Sequence, residues 1–358
     1  MRALFLLTWL LMASLADAQS LREAFQPFFR VGAAVPSTEG LPEDETALLT
    51  RHFVSVTPEN LMKPEALQPR EGTFRFEAAD AFLDRAKQLG LEVHGHTLVW
   101  HAQCPEWFFR DGASPASREL VLERMRKHIT TVAGRYRGRI ARWDVVNEAI
   151  SDGPEFLRPS KWFEATGEDF LVEAFKSAHA ADPQARLFYN DYQIESGAKR
   201  GKTLRLLRLL SDRGAPVHGV GIQGHWSIDE VPFDDIERAI IAFHAEGLRV
   251  AVTELDIDVV PRRVAGADIS VRDRATEDPY AKGCPDEVLQ RQAEQYARLF
   301  TLFRKHADKL DLVTFWGLHD GRSWLNGWPR QRTNYPLLWD RELKPKPALD
   351  AVLRAALE

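Results

Sequence analysis

The sequence predicts an α/β fold, a single-domain (β/α)8 TIM barrel, and three observations carry that reading. Eight short apolar, β-branched runs alternate with eight helical patterns along a chain of 358 residues. An open doubly wound sheet would place a Gly-rich phosphate loop after its first strand, and Val31-Gly32-Ala33-Ala34-Val35 does not supply one. Nearly every run also ends in carboxylate, amide, imidazole or indole, as expected where strand ends converge on the active face of a barrel.

In chain order the strands are expected at 31–35, 53–56, 92–98, 141–146, 186–190, 217–222, 249–254 and 312–316. Helices are expected between them at 43–52, 78–89, 117–133, 170–181, 199–213, 233–246 and 287–306, with a last one near 346–357. Apolar residues recur at three and four, as in Leu204-Leu207 and Leu206-Leu209-Leu210. Gly90, Gly214 and Gly247 stand just past the last turn of three of them, where a left-handed residue closes a helix. Alternation of this kind closes most economically into a barrel, and no repeat or Pro/Ser/Thr-rich linker implies a second module. The segment 261–285 is long and polar, and is expected to be a solvated excursion rather than a lid.

Residues 1–18 read as a signal peptide. Met1-Arg2 gives a positive start, an apolar run reaches Leu15, and Ala16-Asp17-Ala18 fits a small-x-small cleavage site. The mature chain, 19–358, is thus expected to be exported to a periplasm or the outside, with no membrane attachment after cleavage. Formal net charge is −5 with the two signs mixed. No basic stripe points to nucleic acid and no basic amphipathic helix to a membrane surface. No obligatory protein partner is expected. Cys104 and Cys284 lie in distant loops, and their parity alone leaves a bridge and two free thiols equally open. Neither has metal-ligand spacing, and no metal or other cofactor is expected.

Two glutamates carry the chemistry. Glu148 closes Trp143-Asp144-Val145-Val146-Asn147-Glu148, and Glu254 closes Val250-Ala251-Val252-Thr253-Glu254. Two carboxyls held on opposite sides of one sugar ring are the minimum for glycosidic bond cleavage. The other strand ends offer amides and imidazoles for hydroxyl groups and indoles for ring faces; the chain has ten Trp, several in polar loops. His94-x-His96 with His101 mimics a zinc cluster. The His-x-His pair of metallohydrolase barrels sits on the first strand, however, and here it falls on the third. A sugar-binding protein without catalysis is a third class, and retention of both glutamates argues against it.

The segments Thr57-Pro58-Glu59-Asn60-Leu61-Met62-Lys63, Gly95-His96-Thr97-Leu98-Val99-Trp100-His101, Trp143 to Glu148, Gln223-Gly224-His225-Trp226 and Thr253-Glu254-Leu255-Asp256 closely resemble glycoside hydrolase family 10, the endo-β-1,4-xylanases. The match in order and spacing runs across essentially all of 19–358. The resemblance implies xylan and xylo-oligosaccharides as substrates, Glu148 as acid/base and Glu254 as nucleophile of a retaining double displacement. It implies that Asn60, Lys63, His96, Trp100 and Asn147 shape the sugar pocket, with Asn147 on the 2-hydroxyl. Gln103, Gln223, Trp316 and Trp324 would line the cleft. His225 would hydrogen-bond the nucleophile, with Asp256, Glu59 and His101 in support. An endoglucanase or mannanase would share the Asn-Glu pair; Trp324 is expected to crowd the position of the hydroxymethyl arm that xylose lacks.

Some residues stand outside the pattern. His94 is read as out of phase with His96 and as packing structurally. His52, His128 and His179 are expected on solvated helix faces. Tyr192 and His319 fall near the cleft without an assigned role. Cys104, Cys284 and the run His319-Asp320-Gly321-Arg322 depart from the family pattern, and bear on subsite preference rather than chemistry.

Overall fold

The computed structural model describes residues 19–261, 264 and 266–357. The expected signal peptide, 1–18, lies outside the described residues. Eight parallel strands close on themselves: β1 (Arg30–Val35), β2 (Ser55–Pro58), β3 (Glu92–Trp100), β4 (Arg142–Asn147), β5 (Arg186–Asp191), β6 (Gly219–Ile222), β7 (Arg249–Asp258) and β8 (Leu310–Phe315). Sequential neighbours pair around the ring, and β1 pairs with β8, as in Val31 opposite Val313. The expected (β/α)8 TIM barrel is therefore the observed fold. Strands buried on both faces read as near-continuous apolar runs, which is why each was visible in sequence.

Eight helices wrap the barrel: α1 (Glu43–His52), α2 (Glu77–Gln88), α3 (Arg118–Arg135), α4 (Asp169–Ala181), α5 (Gly197–Asp212), α6 (Phe233–Ala245), α7 (Asp286–Lys305) and α8 (Pro347–Ala355). Ser117 caps α3 by accepting from Leu120 N. The short helices Leu21–Phe25, Pro64–Leu67 and Lys161–Thr166 were not foreseen. The first and the segment around the second explain a correction. His52 and His128 are buried, not solvated. His52 Nδ1 accepts from Leu21 N, and its ring sits edge-on to Trp339. His128 Nδ1 lies 2.8 Å from Gln68 Oε1, between Phe74 and Phe108. Burial pushes both imidazoles down, to about 4 and about 3, so both are neutral. His179 is half-buried.

Two strands differ usefully from expectation. Phe53 leaves β2 to pack against Phe315 and Trp339, so that strand starts at Ser55. β7 runs on to Asp258, four residues past Glu254, because the short strand His225–Ser227 pairs with Asp256–Asp258. Glu254 thus sits inside a strand pinned on both edges. At the opposite end of the barrel, Arg142 is fully buried and pairs with Glu92 and Asp311. Cys104 and Cys284 are both free. Among the described residues no helix is long and apolar enough to cross a membrane.

Candidate active site

A cleft of about 220 Å³ opens at the C-terminal ends of the strands. Asn60, Lys63, His96, Trp100, Gln103, Asn147, Glu148, Gln223, His225, Glu254, Trp316 and Trp324 all line it. Glu59, expected behind the wall, opens into the cleft as well, with its carboxyl raised by burial. His101 and Asp256 stand behind the wall: His101 Nδ1 is 3.9 Å from Glu148 Oε2, and Asp256 Oδ1 is 3.0 Å from His225 Nδ1.

The chain reaches this arrangement by specific local devices. Gly224 adopts φ +85°, so the chain turns between β6 and His225, presenting Gln223 and His225 to the same cleft. Glu148 itself is left-handed at φ +57°, a conformation that a non-glycine residue holds only where its surroundings enforce it. Its N–H donates to Asn190 O at 2.9 Å, and its carbonyl accepts from Arg158 Nε at 3.1 Å.

The two carboxyls live in opposite electrostatic settings. Glu148 accepts from Gln223 Nε2 (3.0 Å) and Trp100 Nε1 (2.8 Å). Burial dominates, the Asp191 charge adds to it, and the carboxyl is pushed up to about 7. Glu254 accepts from Asn190 Nδ2 (2.7 Å), and His225 Nε2 lies 3.1 Å from its Oε2. Burial opposes its ionisation, but His225 and the His96 charge outweigh burial and hold it below the usual carboxylate range. Burial likewise opposes the charge on His225; Asp256 and Glu254 overcome it and raise the imidazole to about 10. At neutral pH the group between the two carboxylates is an imidazolium.

The remaining lining is braced before any ligand arrives. Lys63 Nζ donates to Asn60 Oδ1 and Gln103 Oε1, both at 2.8 Å, and stands 4.8 Å over the Trp100 ring. Trp324 donates from Nε1 to Asp256 Oδ2 (2.8 Å) and stacks on Trp328 at 4.7 Å. Trp316 meets His96 edge-on at 5.4 Å. The Asn147 amide lies 3.0 Å from Asn190 Nδ2 and 3.4 Å from Gln223 Nε2.

Several positions correct or extend the sequence reading. His94 is in phase with His96, since residues two apart on a strand share a face. Its Nε2 takes one oxygen of Asp144 and His96 Nδ1 takes the other, each at 2.9 Å. Both imidazoles are thereby engaged by a carboxylate, and among the described residues no group of three or more His, Cys, Asp or Glu could hold a metal ion. Tyr192 is buried beside the cleft, its hydroxyl bonded to Arg158 and Asp152. His319 faces Glu45 instead. Asn190, the amide at the end of the expected strand 186–190, donates to Glu254, a contact its position in the sequence does not signal. The 261–285 segment is not simply solvated: Ala267 and Ile269 form part of the cleft wall. Nothing in the sequence sets those two residues apart from the other apolar residues of the segment, such as the exposed Val271.

A parallel barrel whose C-terminal face holds two carboxyls of opposed proton affinity in one aromatic-lined cleft has the form of the barrel glycosidases. The family model for glycosyl hydrolase family 10 matches residues 20–355. The chain belongs to that family. It is 43% identical over 333 residues to endo-1,4-beta-xylanase B of Paenibacillus barcinonensis, covering 92% of this chain and 96% of that one. It is 44% identical over 334 residues to an endo-1,4-beta-xylanase of Geobacillus stearothermophilus, with coverage of 92% and 96%. Among solved structures, a GH10 endoxylanase from a sugarcane soil metagenome superposes with a TM-score of 0.89 at 41% identity, covering 94% of this chain and 99% of that one. A variant enzyme solved with xylotriose gives a TM-score of 0.85 at 40% identity, covering 93% and 99%.

Proposed function

We propose that this chain is an endo-1,4-β-xylanase that cuts internal β-1,4-xylosidic bonds with retention of configuration. The observation that carries the mechanism is the split in proton affinity between two carboxyls lining one cleft, Glu148 up to about 7 and Glu254 below its ordinary value. In this reading Glu254 attacks the anomeric carbon while Glu148 gives its proton to the glycosidic oxygen, and the leaving sugar departs as an alcohol. Glu254 is then an ester and carries no charge. Glu148, now ionised, takes a proton from water as that water attacks the anomeric carbon and frees Glu254. Asn147 holds the 2-hydroxyl, a contact that strengthens as positive charge develops on the ring.

Substrate class follows from the cleft and from the relatives. The hydrogen bond to Asp256 and the stack on Trp328 hold Trp324 in place, which supports its crowding the position of a hydroxymethyl arm. The Lys63-Asn60-Gln103 cluster is preset for sugar hydroxyls. The chemistry needs no metal or other cofactor. We further propose that residues 1–18 direct export, so that the barrel meets xylan or its oligosaccharides outside the cytoplasm. The test is a product profile on xylan and on xylo-oligosaccharides of defined length, with cellulose and mannan as controls. The expected result is internal cutting of xylan with much slower turnover of the controls. Equal or faster turnover of carboxymethylcellulose or mannan would defeat the substrate assignment.

A further inference from the structure

The left-handed backbone at Glu148 is a strained conformation that its neighbours must hold in place. One of those neighbours also reaches a distant part of the cleft. Arg158 donates from Nε to the Glu148 carbonyl (3.1 Å), from Nη2 to Tyr192 Oη (2.7 Å) and Asp152 (3.0 Å), and from Nη1 to Asp268 Oδ2 (3.3 Å). Asp268 lies between Ala267 and Ile269, the two residues by which the segment after β7 enters the cleft wall. The other side of that segment is pinned too, since Trp328 Nε1 donates to Asp268 O at 3.1 Å and Trp328 stacks on Trp324.

A surface ion pair of this length would contribute little. Arg158 differs in two respects. Its side chain is only 13% exposed, and a planar fork with its donors spread over four acceptors cannot shift toward one without loosening the others. Movement of the wall at Asp268 therefore pulls on the group that holds the Glu148 carbonyl, and vice versa.

We propose that Arg158 is a positioning residue that couples the Ala267–Ile269 wall of the cleft to the backbone of Glu148, so that seating of the sugar against that wall and aiming of the acid/base carboxyl are one event. This rests on the acid/base role given to Glu148 above. The consequence is chemical rather than merely structural. Loosening the coupling should harm proton delivery to the leaving group, and should spare reactions whose leaving group needs no proton.

The experiment compares xylotriose with 2,4-dinitrophenyl β-xylobioside across Arg158→Gln, Asp268→Asn and the double variant. Arg158→Gln is expected to lower kcat/KM on xylotriose about 100-fold and on the aryl glycoside less than about 5-fold. Asp268→Asn is expected to lose about 10-fold on xylotriose alone. The double variant should be no worse than Arg158→Gln within about 2-fold, because Asp268 acts through Arg158. Equal losses on both substrates, or multiplicative losses in the double variant, would overturn the coupling. If Arg158→Gln does not fold, Asp268→Asn decides alone by the same substrate split. Glu148→Ala serves as reference: if it shows no preference for the aryl substrate, the acid/base reading itself fails. If it does and the Arg158 and Asp268 variants do not, only the coupling fails.

Discussion

His225 Nε2 lies 3.1 Å from Glu254 Oε2, and the same ring faces Asp256 through Nδ1 at 3.0 Å. The imidazolium raised between these carboxylates, with the His96 charge beside it, favours the ionised form of the buried Glu254. His225→Asn removes that positive neighbour, so the folded-state pKa of Glu254 should rise. Glu254 works ionised, and activity is lost as pH falls through its pKa. The acid limb of kcat/KM should therefore move to higher pH in the variant. A uniformly slower enzyme with an unmoved acid limb would assign His225 to packing.

The alkaline limb belongs to Glu148. This group works protonated, so kcat/KM should fall as pH rises through about 7. After burial, the Asp191 charge contributes most to that value. Asp191→Asn should make Glu148 give up its proton at lower pH and shift the alkaline limb downward. An alkaline limb unchanged in that variant, in a titration covering pH 5 to 9, would contradict the electrostatic account.

Asn147→Ala should fall on turnover rather than on binding, with kcat reduced about 100-fold or more. Steady-state kinetics on xylo-oligosaccharides separates the two. A higher KM at unchanged kcat would mean that Asn147 contributes only uniform binding.

Gly95→Ala tests the barrel itself. A Cβ at Gly95 would lie 2.4 Å from the ring of Trp143, which is fully buried. Overpacking of this kind costs about 1–3 kcal/mol. Denaturant unfolding should show that loss of stability, and an unchanged midpoint would mean that the ring can move.

The barrel was legible because each strand is a short near-continuous apolar run and each wrapping helix carries its own periodicity. The site was legible because its residues sit in short strand-end segments, from Glu59-Asn60 to Glu254-Leu255-Asp256. What escaped depends on contacts between distant segments. His52 and His128 looked solvated because the chain covering them comes from Leu21–Phe25 and from Gln68 and Phe74. β7 ends late because His225–Ser227 pairs with it. Ala267 and Ile269 are ordinary apolar residues in a largely polar loop, and contacts from distant segments, among them Arg158 with the Asp268 carboxylate and Trp328 with the Asp268 carbonyl, hold them at the cleft. Tertiary pairing of this sort leaves no local pattern to read.

The central claim is that Glu254 attacks directly and Glu148 first gives and then takes a proton. It requires the two carboxyl groups to stand about 5–5.5 Å apart, whereas an inverting pair needs roughly 6.5–9.5 Å to admit water. Glu254→Ala should be nearly inert and partly rescued by azide with an inverted glycosyl azide, and Glu148→Ala should keep activity on aryl glycosides and give a retained one. Proton NMR of fresh product from xylo-oligosaccharide, recorded before mutarotation, tests the claim most directly. The account predicts that the β-anomer appears first. Appearance of the α-anomer first would contradict double displacement.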